Sequence, residues 1–131
     1  MSACERVIAI DPGALRSPIP PKVEHIQQRA EDCAPALLAR GLRASCFVCD
    51  MNTPPGVTVD VLMLLLPMLL PGATVILTFK NFVGSKANMQ REVEVATARL
   101  DTVLAPKTAR VLRLMSGGKE EYTAVGRIAV L

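Results

Sequence analysis

A chain of 131 residues is long enough for one domain with its own core, and 50% hydrophobic residues argue for a packed globule over a disordered tail. One Tyr, three Phe and no Trp exclude sheets that hold single-stranded nucleic acid by stacking bases on aromatic side chains. A formal charge of +3 suits a polyanionic partner and an ordinary enzyme equally well.

Val7 to Ile10 reads as a short strand closed by Asp11, where Pro12-Gly13 supplies turn chemistry. A loop runs through Pro18, Pro20 and Pro21, and Val23 to Gln27 has the composition of a short edge strand. Ala30 to Arg40 reads as a helix, with Glu31 and Asp32 in its first turn and Gly41 just past its end. Cys46 to Cys49 is the next strand, followed by Asp50-Met51 and a loop at Thr53 to Gly56. Val59 to Leu70 predicts a helix buried on most of its circumference, because almost every residue after Asp60 is apolar. Pro71-Gly72 is a turn signal into a central strand from Thr74 to Phe79, which ends on Lys80. Ser85 to Leu100 predicts an amphipathic helix with Met89, Val93, Ala96 and Leu100 on one face. Ala109 to Leu114 and Tyr122 to Leu131 are the last strands, and Gly117-Gly118 between them implies an antiparallel hairpin. The alternation predicts an α/β fold in a single domain, residues 1 to 131, whose sheet is mostly parallel with one reversed strand at its end.

The apolar stretch from Val57 to Phe79 is interrupted by Asp60, Pro67 and Pro71-Gly72, so a buried helix and a buried strand are expected there, not a membrane span. The first residues include Glu5 and Arg6 and have no secretory leader pattern, which points to an intracellular compartment, cytoplasmic or organellar, and reduced thiols. Cys46 and Cys49 have redox or zinc spacing, but positions three apart on a strand face opposite ways, so no metal site is expected. His25 reads as a surface or packing residue, with no identifiable triad partners.

In open α/β sheets ligands sit beyond the carboxyl ends of the strands, and charges fall at those points here. Ala9-Ile10-Asp11, Cys49-Asp50-Met51 with Pro54, Leu70-Pro71-Gly72 leading to Thr78-Phe79-Lys80, and Lys119-Glu120-Glu121-Tyr122 follow one another in a recurring order. Together these segments resemble the class I S-adenosylmethionine-dependent methyltransferases, and within them the FtsJ-like (RlmE and RlmM type) ribosomal RNA 2′-O-methyltransferases. The resemblance covers nearly the whole chain but only the later part of the family's catalytic domain. It implies a Rossmann-like sheet whose first strand, first helix and glycine-rich cofactor turn are missing from this sequence.

The resemblance implies catalytic roles for Asp50, Lys80 and Glu120, three of the family's Lys-Asp-Lys-Glu set. The first lysine has no counterpart. Lys80 would orient and help deprotonate a ribose 2′-hydroxyl, with Asp50 and Glu120 holding its ammonium and binding the hydroxyl. Glu121 competes for the last acidic role, because hairpin register decides which of two adjacent residues faces the site. Two carboxylates beside one lysine favour its charged form, so Lys80 is expected to be a poor base without the second lysine. For the cofactor S-adenosylmethionine the resemblance implies Asp11 against the ribose hydroxyls and Asp32 near the adenine amino group. The local readings are that Asp11 shapes a turn and that Asp32 complements a helix dipole.

In the family the absent strand lies mid-sheet, between the strands ending at Asp11 and Asp50, and its turn wraps the methionine part of the cofactor. Three expectations follow: a second chain or upstream segment supplies that strand, the Val7 strand pairs directly with the Cys46 strand, or the chain is a fragment of a longer product. Weak or absent cofactor binding is expected of the chain alone. Two functions compete, an RNA methyltransferase domain acting on ribosomal or other structured RNA and a catalytically inactive methyltransferase-like assembly module. An unrelated nucleotide-binding protein is disfavoured by the absence of a phosphate-binding glycine loop.

Overall fold

The contacts within this chain group it into two compact units, residues 1–41 and 42–131. The computed structural model describes residues 4–81, 84–116 and 119–130, without the side chains of 114–116, 119 and 120.

In the first unit β1 (Val7–Ile10) pairs in parallel with β2 (Val23–Ile26), and α1 (Ala30–Ala39) follows. Glu31 and Asp32 stand in the first turn of α1, where carboxylates favour the exposed N–H groups. Gly41, at φ 70°, takes the left-handed conformation that closes the helix. Glu24 on β2 accepts from both terminal nitrogens of Arg40, at 2.7 and 2.9 Å, and pairs with Arg6 as well. These guanidinium contacts hold the Glu24 carboxyl down at about 2. They tie the end of α1 to β2 and to the residue preceding β1.

The second unit is a four-stranded sheet in the order β3-β4-β6-β5. Its strands are β3 (Ala44–Cys49), β4 (Leu69–Phe79), β5 (Arg110–Ser116) and β6 (Lys119–Arg127). β3 is parallel to β4, and β6 is antiparallel to both β4 and β5, so only β6 runs in the reverse direction. The reversed strand is inserted between β4 and β5, one place in from the edge. The hairpin stands as expected: Ser116 pairs with Lys119, although Gly117 and Gly118 themselves lie outside the described residues. β1 is laddered to β2 and β3 to β4, each within its own unit.

Two boundaries differ from the sequence-based expectation for the same reason, the treatment of proline. α2 is Pro55–Leu65, not Val59 to Leu70, because proline is well accepted in a first helical turn whose N–H groups lack partners anyway. At the other end Pro67 tightens Leu66–Met68 into a 3₁₀ turn, and the strand begins immediately, at Leu69. Pro71-Gly72 is therefore an irregularity inside β4 and not a turn before it. The β3–β4 register slips there, from Ala44 opposite Leu69 to Cys46 opposite Thr74, with Gly72 at φ 79°.

α3 (Lys86–Leu100) starts at Ser85, whose hydroxyl accepts from the Asn88 N–H at 3.1 Å. Met89, Val93, Ala96 and Leu100 of α3 join Val59 and Leu62 of α2 over Val75, Leu77, Phe79, Tyr122 and Ala124. That is one face of the sheet. Arg99 fastens the helices to each other by donating to Asp60 at 2.6 Å and to the Gly56 carbonyl at 3.2 Å. The opposite face, carrying Val48, Thr74, Ile76, Thr78, Thr123 and Val125, is half-buried or exposed, with Val48 64% exposed. No helix of the described residues is long and apolar enough to cross a membrane.

Candidate active site

The buried side chains of β4 alternate with those of the open face, and the alternation continues to Lys80, directly after Phe79. Phe79 pairs with Tyr122, so extending the register by one residue sets Lys80 opposite Glu121. Cys49 pairs with Leu77, which carries Asp50 past the carboxyl end of β3. Three strands thus deliver three charges to one edge of the sheet.

Lys80 Nζ lies 3.0 Å from Asp50 Oδ1 and 3.7 Å from Glu121 Oε1. The Asp50 hydrogen bond is the chief influence holding the Lys80 ammonium above the usual lysine range, with Glu121 adding to it and desolvation opposing it. Lys80 and Glu121 are each 26% exposed and Asp50 64%, so the cluster opens to solvent on the Asp50 side. The Glu120 side chain lies outside the described residues; its backbone pairs with Met115. Of the expected catalytic residues the structure brings together Asp50 and Lys80, and Glu121 supplies the second carboxylate.

Asp11 and Asp32 belong to the first unit. Asp11 directly follows β1, and its Oδ1 accepts from the Gly13 N–H at 2.7 Å, the turn-shaping bond expected of Asp before Pro-Gly. Its backbone carbonyl accepts from His25 Nε2 at 3.1 Å, which gives His25 a structural partner. Asp32 is exposed in the first turn of α1, with no side-chain partner among the described residues. Both carboxylates retain an oxygen able to accept from a hydroxyl or an amine.

Cys46 is exposed and Cys49 buried, on opposite faces of β3, and no group among the described residues would hold a metal. Cys33 is buried in α1, and burial pushes its thiol up. Sequence reasoning missed the Arg6–Glu24–Arg40 cluster, whose members are spread along the chain and meet only once β1, β2 and α1 have formed.

No family model matches the sequence, and no curated protein matches it. Solved structures do match its fold. A candidate hemolysin from Streptococcus thermophilus superposes with a TM-score of 0.67 at 19% identity over 95% of this chain and 51% of its own. The O-methyltransferase TomG from Streptomyces achromogenes, involved in tomaymycin synthesis and solved with S-adenosylmethionine, gives 0.60 at 17% identity over 83% of this chain and 51% of its own. An O-methyltransferase from Bacillus cereus, solved with S-adenosylhomocysteine, gives 0.59 at 13% identity over 82% and 50%. The chain spans about half the length of these structures. Strand order, the single reversed strand and these superpositions agree: the chain has the Rossmann-like fold of class I S-adenosylmethionine-dependent methyltransferases.

Proposed function

We propose that this chain is the larger part of a methyltransferase domain that uses S-adenosylmethionine to methylate a ribose 2′-hydroxyl of ribosomal or another structured RNA. The observation supporting this is the lysine held between two carboxylates at the carboxyl edge of β3 and β4. A lysine Nζ there can accept the hydroxyl proton once neutral, while Asp50 and Glu121 orient it and accept from the approaching hydroxyl. The cofactor, when bound, supplies an electrophilic methyl group. Asp11 would accept from its ribose hydroxyls and Asp32 from its adenine amine, so the acids on the adenosine side fit. The methionine end would need backbone donors of a glycine-rich turn, and this sequence has no such turn between a strand and a helix ahead of Asp11. We infer that a second chain or an upstream segment provides it, along the edge of β3 remote from β4.

One observation favours the second reading, an inactive assembly module. Lys80 is stabilised as the ammonium, and no second lysine contact offsets that among the described residues. The test is reconstitution. The chain is mixed with a segment carrying a glycine-rich strand-turn-helix, and methyl transfer from labelled S-adenosylmethionine is followed into ribosomal RNA, with alkali-resistant linkages reporting the 2′-O position. Transfer that is lost in Lys80→Met supports the enzyme. A complex that forms but restores neither cofactor affinity nor transfer leaves the assembly module.

A further inference from the structure

At the end of β4 remote from Lys80 the open face of the sheet carries a second group of charges. Thr74 pairs with Arg127 and Arg110 pairs with Val125, so all four lie on one face, because opposed residues share a face and residues two apart return to it. With Lys107 and Thr108 they line a cleft of about 370 Å³. Gly126 completes its wall; a Cβ there would approach Leu104 Cδ1 to 2.7 Å.

The cleft is built by its backbone. Ala105 N–H donates to the Arg127 carbonyl at 2.8 Å, the Arg127 N–H donates to Thr108 Oγ1 at 3.2 Å, and that hydroxyl donates to the Ala105 carbonyl at 2.7 Å. The turn carrying Lys107 is thereby clamped to the strand carrying Arg127. Lys107 sits at φ 67°, a left-handed conformation that is unfavourable for a non-glycine residue. Glycine would avoid that cost and forfeit the ammonium.

The charge is unbalanced. Lys107, Arg110 and Arg127 face no carboxylate among the described residues, as is also true of Arg16, Lys22, Arg43 and Arg91, and these three stand apart in lining one cleft. Among the described residues no acid lines the cleft. Two guanidinium-bearing residues and a lysine lining one cleft suit the oxygens of a phosphate group. Its one apolar side chain, Val125, is half-buried, so the site lacks the contiguous apolar face that a membrane-surface binder inserts.

We propose that this cleft holds a backbone phosphate of a polynucleotide. Lys80 is six residues along β4 from Thr74, so the two sites lie ~20 Å apart on the same face at roughly 3.3 Å per residue. Phosphate binding here needs no cofactor, so it stands or falls separately from methyl transfer.

The test is fluorescence anisotropy of a labelled hairpin RNA with the full chain, titrated across a salt series. Each of Lys107→Gln, Arg110→Gln and Arg127→Gln should flatten the plot of log affinity against log salt by about one unit. The triple variant should flatten it by roughly two to three. Arg110→Lys/Arg127→Lys should keep most of the slope, and a circular-dichroism melt checks that every variant is folded. A folded triple variant with unchanged slope overturns the proposal. So does a triple variant that loses binding only to anionic phosphatidylserine vesicles, or only to inorganic phosphate, while its RNA affinity stays at the wild-type value.

Discussion

Lys80 sits where three strand ends meet, and its two carboxylate neighbours decide which protonation state it occupies. Because its pKa is raised, the stabilisation from this cluster is complete below the ordinary lysine value and is lost as pH rises through the raised one. Any use of Lys80 as a base therefore shifts towards alkaline pH. Asp50 is the largest influence, so Asp50→Asn should bring the Lys80 pKa back towards the ordinary lysine value, and Glu121→Gln should move it less. An NMR titration of the lysine Cε resonances checks both, and an unmoved Lys80 in Asp50→Asn means that the ion pair does not persist in solution. How much of this site is legible in the sequence depends on the residue. Asp50 and Lys80 are, since each directly follows an apolar strand. The choice between Glu120 and Glu121 is not, because it turns on a one-residue register that only the β4–β6 ladder fixes. The basic cleft is invisible for a related reason: residues 107, 110 and 127 are brought to one cleft only through the pairing of β5 with β6 and the hydrogen bonds of Ala105 and Thr108 to Arg127.

The elements themselves are mostly readable. Strands follow from β-branched runs, α3 from its four-residue apolar stripe and the hairpin from its glycines. α2 is the exception, since an apolar composition on nearly all sides carries no directional signal. In the structure the helix still has an outside: Leu62 is fully buried, while Leu64, two positions on, is 39% exposed. Leu62→Ala should therefore cost about 2–5 kcal/mol, whereas Leu64→Ala should cost less than about 1 kcal/mol. Urea denaturation of the two variants measures the difference. Similar losses would mean that α2 is rotated in solution or that its outer side is covered by something else.

At the scale of the molecule, α2 and α3 cover one face of the sheet, and the other face keeps Val48, Leu112 and a row of threonines near solvent. Among the described residues β3 pairs only with β4, and the chain spans about half of the methyltransferases it matches. Adenosine-side contacts through Asp11 and Asp32 are hydrogen bonds worth about 1 kcal/mol each, somewhat more for ionised acceptors. Binding must also repay the translational and rotational freedom of the ligand, at least about 4 kcal/mol. Two carboxylates cannot cover that without the backbone donors that a glycine turn brings to the methionine end. The chain alone should accordingly bind S-adenosylmethionine no more tightly than the millimolar range, and titration calorimetry on the purified 131-residue protein measures it. Micromolar binding would mean that the cofactor site is complete in these residues, and that no second segment is needed. A millimolar chain that gains micromolar affinity on adding a glycine-rich strand-turn-helix segment would locate the missing binding energy in that segment.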